Sequence, residues 1–202
     1  TRRGYYLPFC ALWDILTLVM RTIVGFTGAS GVAYGVDFLR RCPGDKYLIA
    51  SKWGKRVLHE ELGLKVEELR PWINDIYSDS DLGAPFSSGS NHFDTLVIVP
   101  CSISTLAKIA NGIADTLITR IAQVALKERR RLVIALRETP LSSIALENAL
   151  KLSREGAVIM PISPPHYLNA ENINDLIEGY VDKILNVIGV STGNGWRHEE
   201  LE

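Results

Sequence analysis

Three stretches of this chain gather side chains able to hold an anion and move a proton. The first, Gly25-Phe-Thr-Gly28-Ala29-Ser30-Gly31, is a run of small residues. Such a run lets a backbone turn approach a phosphate at a helix N-terminus, where free N–H groups and the dipole favour negative charge. The second, Pro100-Cys-Ser102-Ile-Ser104-Thr105, sets hydroxyls at positions 102, 104 and 105. One hydroxyl there is the ordinary cap of a helix; the group together exceeds what a cap requires. The third, Arg137-Glu138-Thr139-Pro140, brings a guanidinium and a carboxylate together. That pair suits anion binding and acid–base work, with a plain ion pair at the surface as the lesser alternative.

Further residues carry the right chemistry with a bland alternative beside each. Arg120 and Lys127 lie seven positions apart and share a helix face. Taken alone, Lys127 reads better as part of the solvated run Lys127–Arg131 at a helix C-terminus, where cations suit the dipole. Tyr167 ends the proline-set loop that starts at Pro161. Lys183 stands at the margin of an apolar stripe, either snorkelling to solvent or meeting an anion. Cys101, in an apolar setting, reads as a small core residue. Asp79-Ser-Asp81 lacks the spacing that binds magnesium diphosphate, and the four histidines have no metal spacing, so no metal is expected.

These residues need elements to hold them, and the pattern supplies a consistent set. Apolar runs at Thr22–Thr27, Tyr47–Ala50, Thr95–Val99, Leu132–Leu136 and Ala157–Met160 read as strands covered on both faces, with Pro100 closing the third. Between and after them, helical periodicity runs from Val32, over Lys52–Leu62, Ile103–Ile113, Asp115–Arg129 and Leu141–Arg154, and over Ile173–Ile188. Alternating β and α elements predict a doubly wound, Rossmann- or flavodoxin-like parallel sheet in a three-layer αβα single domain. Ligands of such sheets bind at the carboxyl ends of strands, where all three stretches fall. The glycine spacing departs from the dinucleotide fingerprint, and the second strand ends in Ser51-Lys52 rather than in an acidic residue for a ribose diol. There is no G-K-[ST] either. A mononucleotide such as FMN fits better than NAD.

Composition agrees. At 202 residues, 47% hydrophobic and 22% charged, the chain has the makings of one globular domain, and a formal charge of −1 recommends neither nucleic acid nor an anionic membrane as partner. Cys10, Cys42 and Cys101 are scattered, without a C-x-x-C, which points to a reducing cytoplasm. Residues 1–19 are basic and then apolar, but Asp14 interrupts the run and no small-x-small cleavage site follows. The expected organisation is an extension over 1–19, a domain over 20–190 and a tail over 191–202.

GFTGASG, Ser51-Lys52, Ser87-Ser-Gly-Ser90, PCSIST, DTLITRIAQVALKERRRLV, RETPLSSIALENALKLSREGAVIMP and PPHYL follow one another in this order. Together they resemble the UbiX family of flavin prenyltransferases, from Met20 to about Val190. The resemblance implies transfer of a dimethylallyl group from dimethylallyl monophosphate to N5 and C6 of reduced FMN, without a metal. The prenylated flavin would serve a UbiD-type decarboxylase in ubiquinone synthesis or aromatic acid decarboxylation. The resemblance also implies homo-oligomers, trimers building dodecamers, with sites at subunit contacts. It assigns Gly28, Ala29, Ser30, Ser51, Ser102, Ile103, Ser104, Thr105 and Arg137 to FMN. It assigns Tyr167 and Lys183 to the prenyl phosphate, joined by Arg120 and Lys127 across an interface. Glu61 and Glu138 match the family's functional carboxylates, and Ser30 and Lys127 join them as catalytic candidates. Two departures stand out: Lys183 replaces an arginine, and Asp75–Phe86 lacks the tryptophan often found there.

Two other functions share this fold: an FMN-dependent cysteine decarboxylase and a non-catalytic flavin carrier or decarboxylase accessory subunit. The decarboxylases use a P-x-M-N-x-x-M-W clamp; here RETP stands at a strand end instead. A carrier has no need of the second anion set Lys127, Tyr167 and Lys183.

Overall fold

The computed structural model describes residues 19–166 and 170–193. Six parallel strands form one sheet in the order β3-β2-β1-β4-β5-β6: β1 Arg21–Phe26, β2 Asp45–Ala50, β3 Asp75–Ser78, β4 Thr95–Cys101, β5 Arg131–Leu136 and β6 Val158–Pro161. The order reverses between β1 and β4, which opens a crevice at their carboxyl ends.

Side chains along the central strands alternate strictly between two cores. Ile23, Leu96, Ile98, Leu132 and Ile134 pack under helices α3 (Ile103–Ala110), α4 (Leu117–Lys127) and α5 (Ser143–Arg154). Val24, Val97, Val99, Val133 and Ala135 pack under α1 (Val32–Arg41), α2 (Lys52–Leu62) and α6 (Ile173–Val187). Burial on both faces explains why these strands read as unbroken apolar runs.

The structure corrects the expected elements in three places. A sixth strand, β3, follows a 3₁₀ segment at Val66–Trp72 and sits at the sheet edge. β4 does not stop at Pro100 but runs through it to Cys101; the ladder to β5 jumps from Ile98 to Cys101, as a residue without an N–H requires. The third and fourth helices are shorter than expected: α3 gives out at Asn111, and α4 starts at a Thr116 cap whose side chain accepts from Thr119 N.

Candidate active site

The crevice is built where β1, β2 and β4 end. Thr27 joins two of these ends. Its hydroxyl donates to the Pro100 carbonyl at 2.8 Å and accepts the Ser102 N–H at 2.8 Å, and it is buried. The turn after β1 is thereby fixed against the start of α3. Ser51 and Ser102 each cap a helix, accepting Gly54 N–H at 3.0 Å and Thr105 N–H at 3.3 Å. The amino ends of α2 and α3 therefore face the same space, with first-turn N–H groups that have no partner within their helices.

That space is a cavity of about 490 Å³ lined by Gly28, Ser51, Lys52, Trp53, Ser102, Ser104 and Thr105, together with Asp79, Lys108, Thr116 and Thr119. Gly28 lets the turn after β1 close onto the start of α2, since a β-carbon there would lie 2.6 Å from Trp53 Cβ. The hydroxyls, helix ends and two lysines form a donor set suited to a phosphate ester. Asp79 is the exception in sign. Burial pushes its carboxyl up, against the N–H of Ile118 that it accepts at 2.9 Å and the Thr116 hydroxyl. Lys108 Nζ is held 2.7 Å from Asp115 at the rim.

Thr27, Lys108, Thr116 and Thr119 were not singled out from the sequence, and Asp79 was weighed there only as a metal ligand. Asp79 stands one residue beyond a strand that the pattern did not reveal. Lys108 lies four positions after Ser104, one helical turn away on the same face, a spacing that could have found it.

The remaining expected residues divide into groups. Ala29 and Ser30 lie in the bend after β1, and Ile103 opens α3, both beside the crevice. Arg137 and Glu138 follow directly on β5, exposed at the same sheet edge; Arg137 N donates to the Cys101 carbonyl at 3.1 Å, and Glu138 turns back to accept Thr139 N–H. Glu61 reaches from α2 to the backbone beside Ser30, where it accepts the N–H groups of Gly31 and Val32 at 3.0 Å.

The other cations are not gathered at this crevice. α4 begins beside Asp79, whose carbonyl takes Leu117 N–H, and runs to the opposite edge of the sheet. On its exposed flank Arg120 Nε donates to the Ser87 carbonyl at 3.0 Å, and Lys127 pairs with Glu128. Lys183 is exposed on α6, between Tyr180, whose hydroxyl meets the Met160 carbonyl, and Val187, whose carbonyl accepts from Arg131 at the far edge. Tyr167 lies outside the described residues. Cys101 is fully buried and its thiol is pushed far up by desolvation, the state of a core residue rather than a nucleophile. Among the described residues no cluster of His, Cys, Asp and Glu is arranged to hold a metal, and no helix is long and apolar enough to cross a membrane.

Comparison with known proteins agrees with this geometry. The family profile described as Flavoprotein matches residues 18–188. The flavin prenyltransferase UbiX of Thermoplasma acidophilum is 48% identical over 172 residues, covering 85% of this chain and 96% of its own. A crystal structure of AnUbiX (PadA1) in complex with FMN and dimethylallyl pyrophosphate superposes with a TM-score of 0.85 at 41% identity, covering 89% of this chain and all of the other. A dodecameric FMN-dependent UbiX-like decarboxylase from Escherichia coli O157:H7 superposes at 0.84 with 37% identity, over 88% of this chain and 98% of its own.

Proposed function

We propose, from the premise that this chain belongs to the Flavoprotein family and within it to the flavin prenyltransferases, that its β1–β4 crevice holds FMN and receives a dimethylallyl group onto it. The observation that carries the reading is the donor set of Gly28, Ser51, Ser102, Ser104 and Thr105 at the switch point, in a chain so closely related to a protein seen with FMN and a prenyl donor. Reduced flavin supplies the nucleophile, at N5 and C6, when bound. The protein's part is to position it, take up charge on the leaving phosphate and move a proton.

Each part has a candidate. Ser51, the 102–105 turn and the Gly28–Ser30 turn hold the phosphate and ribityl end, and Arg137 the ring end. Breaking the allylic C–O bond puts negative charge on the departing phosphate, and fixed cations stabilise charge that grows in the transition state. Tyr167 and Lys183, with Arg120 and Lys127 of a neighbouring subunit, are assigned that role. The exposed flank of α4, far from its own crevice, supports a role for those two residues toward another subunit. Glu138, one residue past Arg137, is placed to take the proton released on ring closure or to pass one to phosphate. Glu61 and Ser30 act together at the first turn.

The chain assembles with copies of itself, as trimers building dodecamers. Trp53, Ile144 and Leu150, at 58%, 69% and 51% exposure, leave apolar surface for such contacts. Residues 20–190 form the catalytic domain. The product passes to a UbiD-type decarboxylase, and buried free Cys42 and Cys101 suit a reducing cytoplasm.

The test is an anaerobic incubation of the protein with dithionite-reduced FMN and either dimethylallyl monophosphate or the diphosphate, followed by mass spectrometry of the extracted flavin. A flavin heavier by one five-carbon unit is expected, with the monophosphate the better donor. Unmodified FMN from both reactions, recovered bound to the protein, would overturn prenyl transfer and leave thiol decarboxylation or a carrier role.

A further inference from the structure

The amino end of α1 already holds an anion, and the protein supplies it. Gly31, at φ +91°, starts this helix with no capping side chain of its own, and no acidic residue lies in the first turn. Glu61, near the C-terminus of α2, fills the place from outside. One carboxylate oxygen accepts Gly31 N–H at 3.0 Å; the other accepts Gly31 and Val32 N–H, each at 3.0 Å. A helix N-terminus meets an anion in this way because its first N–H groups are unpaired and its dipole is positive there.

In sheets of the order 3-2-1-4-5-6 this same turn is where the pyrophosphate of a dinucleotide rests. Room for a second nucleotide half is not lacking. Beyond Ser51, at the ends of β2 and β3, lies another cavity of about 400 Å³. It is lined by Lys52, Lys55, Ser80 and Asp79 among others, and shares Lys52, Asp79 and Thr116 with the crevice. Lys52 and Lys55 there stand beside Asp79 and Asp115, so space and cations for a longer ligand exist, while the seat on α1 is taken by Glu61.

We propose that Glu61 sets the preference of this chain for a mononucleotide over a dinucleotide, by filling the pyrophosphate seat on α1 and repelling a second phosphate. The proposal rests on the reading that the crevice holds FMN. The flavin phosphate is thereby left to the amino ends of α2 and α3, on the hydroxyl-lined side. Ser51 and Ser102 leave the first-turn N–H groups there to a ligand, whereas on α1 the protein's own carboxylate occupies them.

Fluorescence titration of the full chain with FMN and with FAD tests this, using wild type, Glu61→Gln and Glu61→Ala. Glutamine keeps the size and one acceptor for the turn but removes the charge. Wild type is expected to bind FMN far more tightly than FAD. Both variants are expected to gain about tenfold or more in FAD affinity, as removal of a like charge predicts, with no comparable gain for FMN. A gain of affinity for one ligand alone is not something a damaged fold produces. Unchanged FAD affinity in variants that still bind FMN would overturn the proposal. Loss of FMN binding in both variants would overturn it too, leaving Glu61 as a structural cap. Failure of wild type to bind FMN would instead overturn the crevice reading beneath it.

Discussion

Thr27 shows how much of the site depends on one buried hydroxyl. It donates to Pro100 and accepts from Ser102, so that the ends of β1 and β4 cannot part without leaving polar groups unpaired. Thr27→Val keeps the shape and removes both bonds. It is expected to cost about 1–3 kcal/mol of stability, read from urea unfolding, and to weaken FMN binding in the same protein. Asp79 offers a test by pH. Its carboxyl is pushed up from the ordinary 3.8 by burial, so the folded chain keeps that proton to higher pH than the unfolded one. Stability from such a group is complete below the unfolded pKa and is lost as pH rises through the folded one. Asp79→Asn keeps an acceptor for Ile118 without the charge. It is expected to melt at a higher temperature than wild type at pH 7, with the margin shrinking toward pH 4. Ser51 and Ser102 were legible because a hydroxyl directly after an apolar run marks a strand end. Thr27 was not, since a threonine that ends a β-branched run looks like more strand.

Among the elements, α6 is docked through its side chains. The Tyr180 hydroxyl donates to the Met160 carbonyl at 2.8 Å, and its ring meets Tyr34 edge-on at 5.3 Å. Arg41, at the end of α1, pairs with Asp182. Tyr180→Phe is expected to cost about 1 kcal/mol, measured as a lower urea midpoint with an unchanged slope. The strands that were legible carry a run of apolar residues, including Val-Ile-Met of β6 at the other edge. Asp-Ile-Tyr-Ser, which forms β3, is only half buried at the sheet edge and carries polar residues at both ends, so no apolar run announces it. That omission is also why the place of Asp79 at the crevice, and the second cavity, went unseen. The helix ends α3 and α4 were overextended because Ile113 continues the apolar pattern into a loop where it stands exposed.

For the molecule as a unit, the distance between the crevice and Lys127 leads to a test by subunit mixing. On the proposed reading Lys127→Ala and Glu138→Ala each remove a group that every site needs, and each is expected to abolish most prenylation as a pure protein. When the two are dissociated and reassembled together, some sites would receive an intact Glu138 from one chain and an intact Lys127 from another. Prenylated flavin is expected to reappear after reassembly and not after simple mixing of the assembled proteins; continued inactivity would mean that both groups act within one chain.

The two margins of the sheet bear on how copies of this chain meet. β3 and β6 are the outer strands, and each is only four residues long. β6 ends in Pro161, which has no N–H to offer. Strands so short give little template for another backbone to zip onto. Pairing of backbones at these margins is thereby disfavoured, which leaves contacts between copies to side chains, whose shapes admit only certain angles. A side-chain contact closes into a bounded assembly when its rotation closes a ring, while one made through strand margins can lengthen without limit. Crowding many copies together thus offers little route to a fibre through the sheet margins.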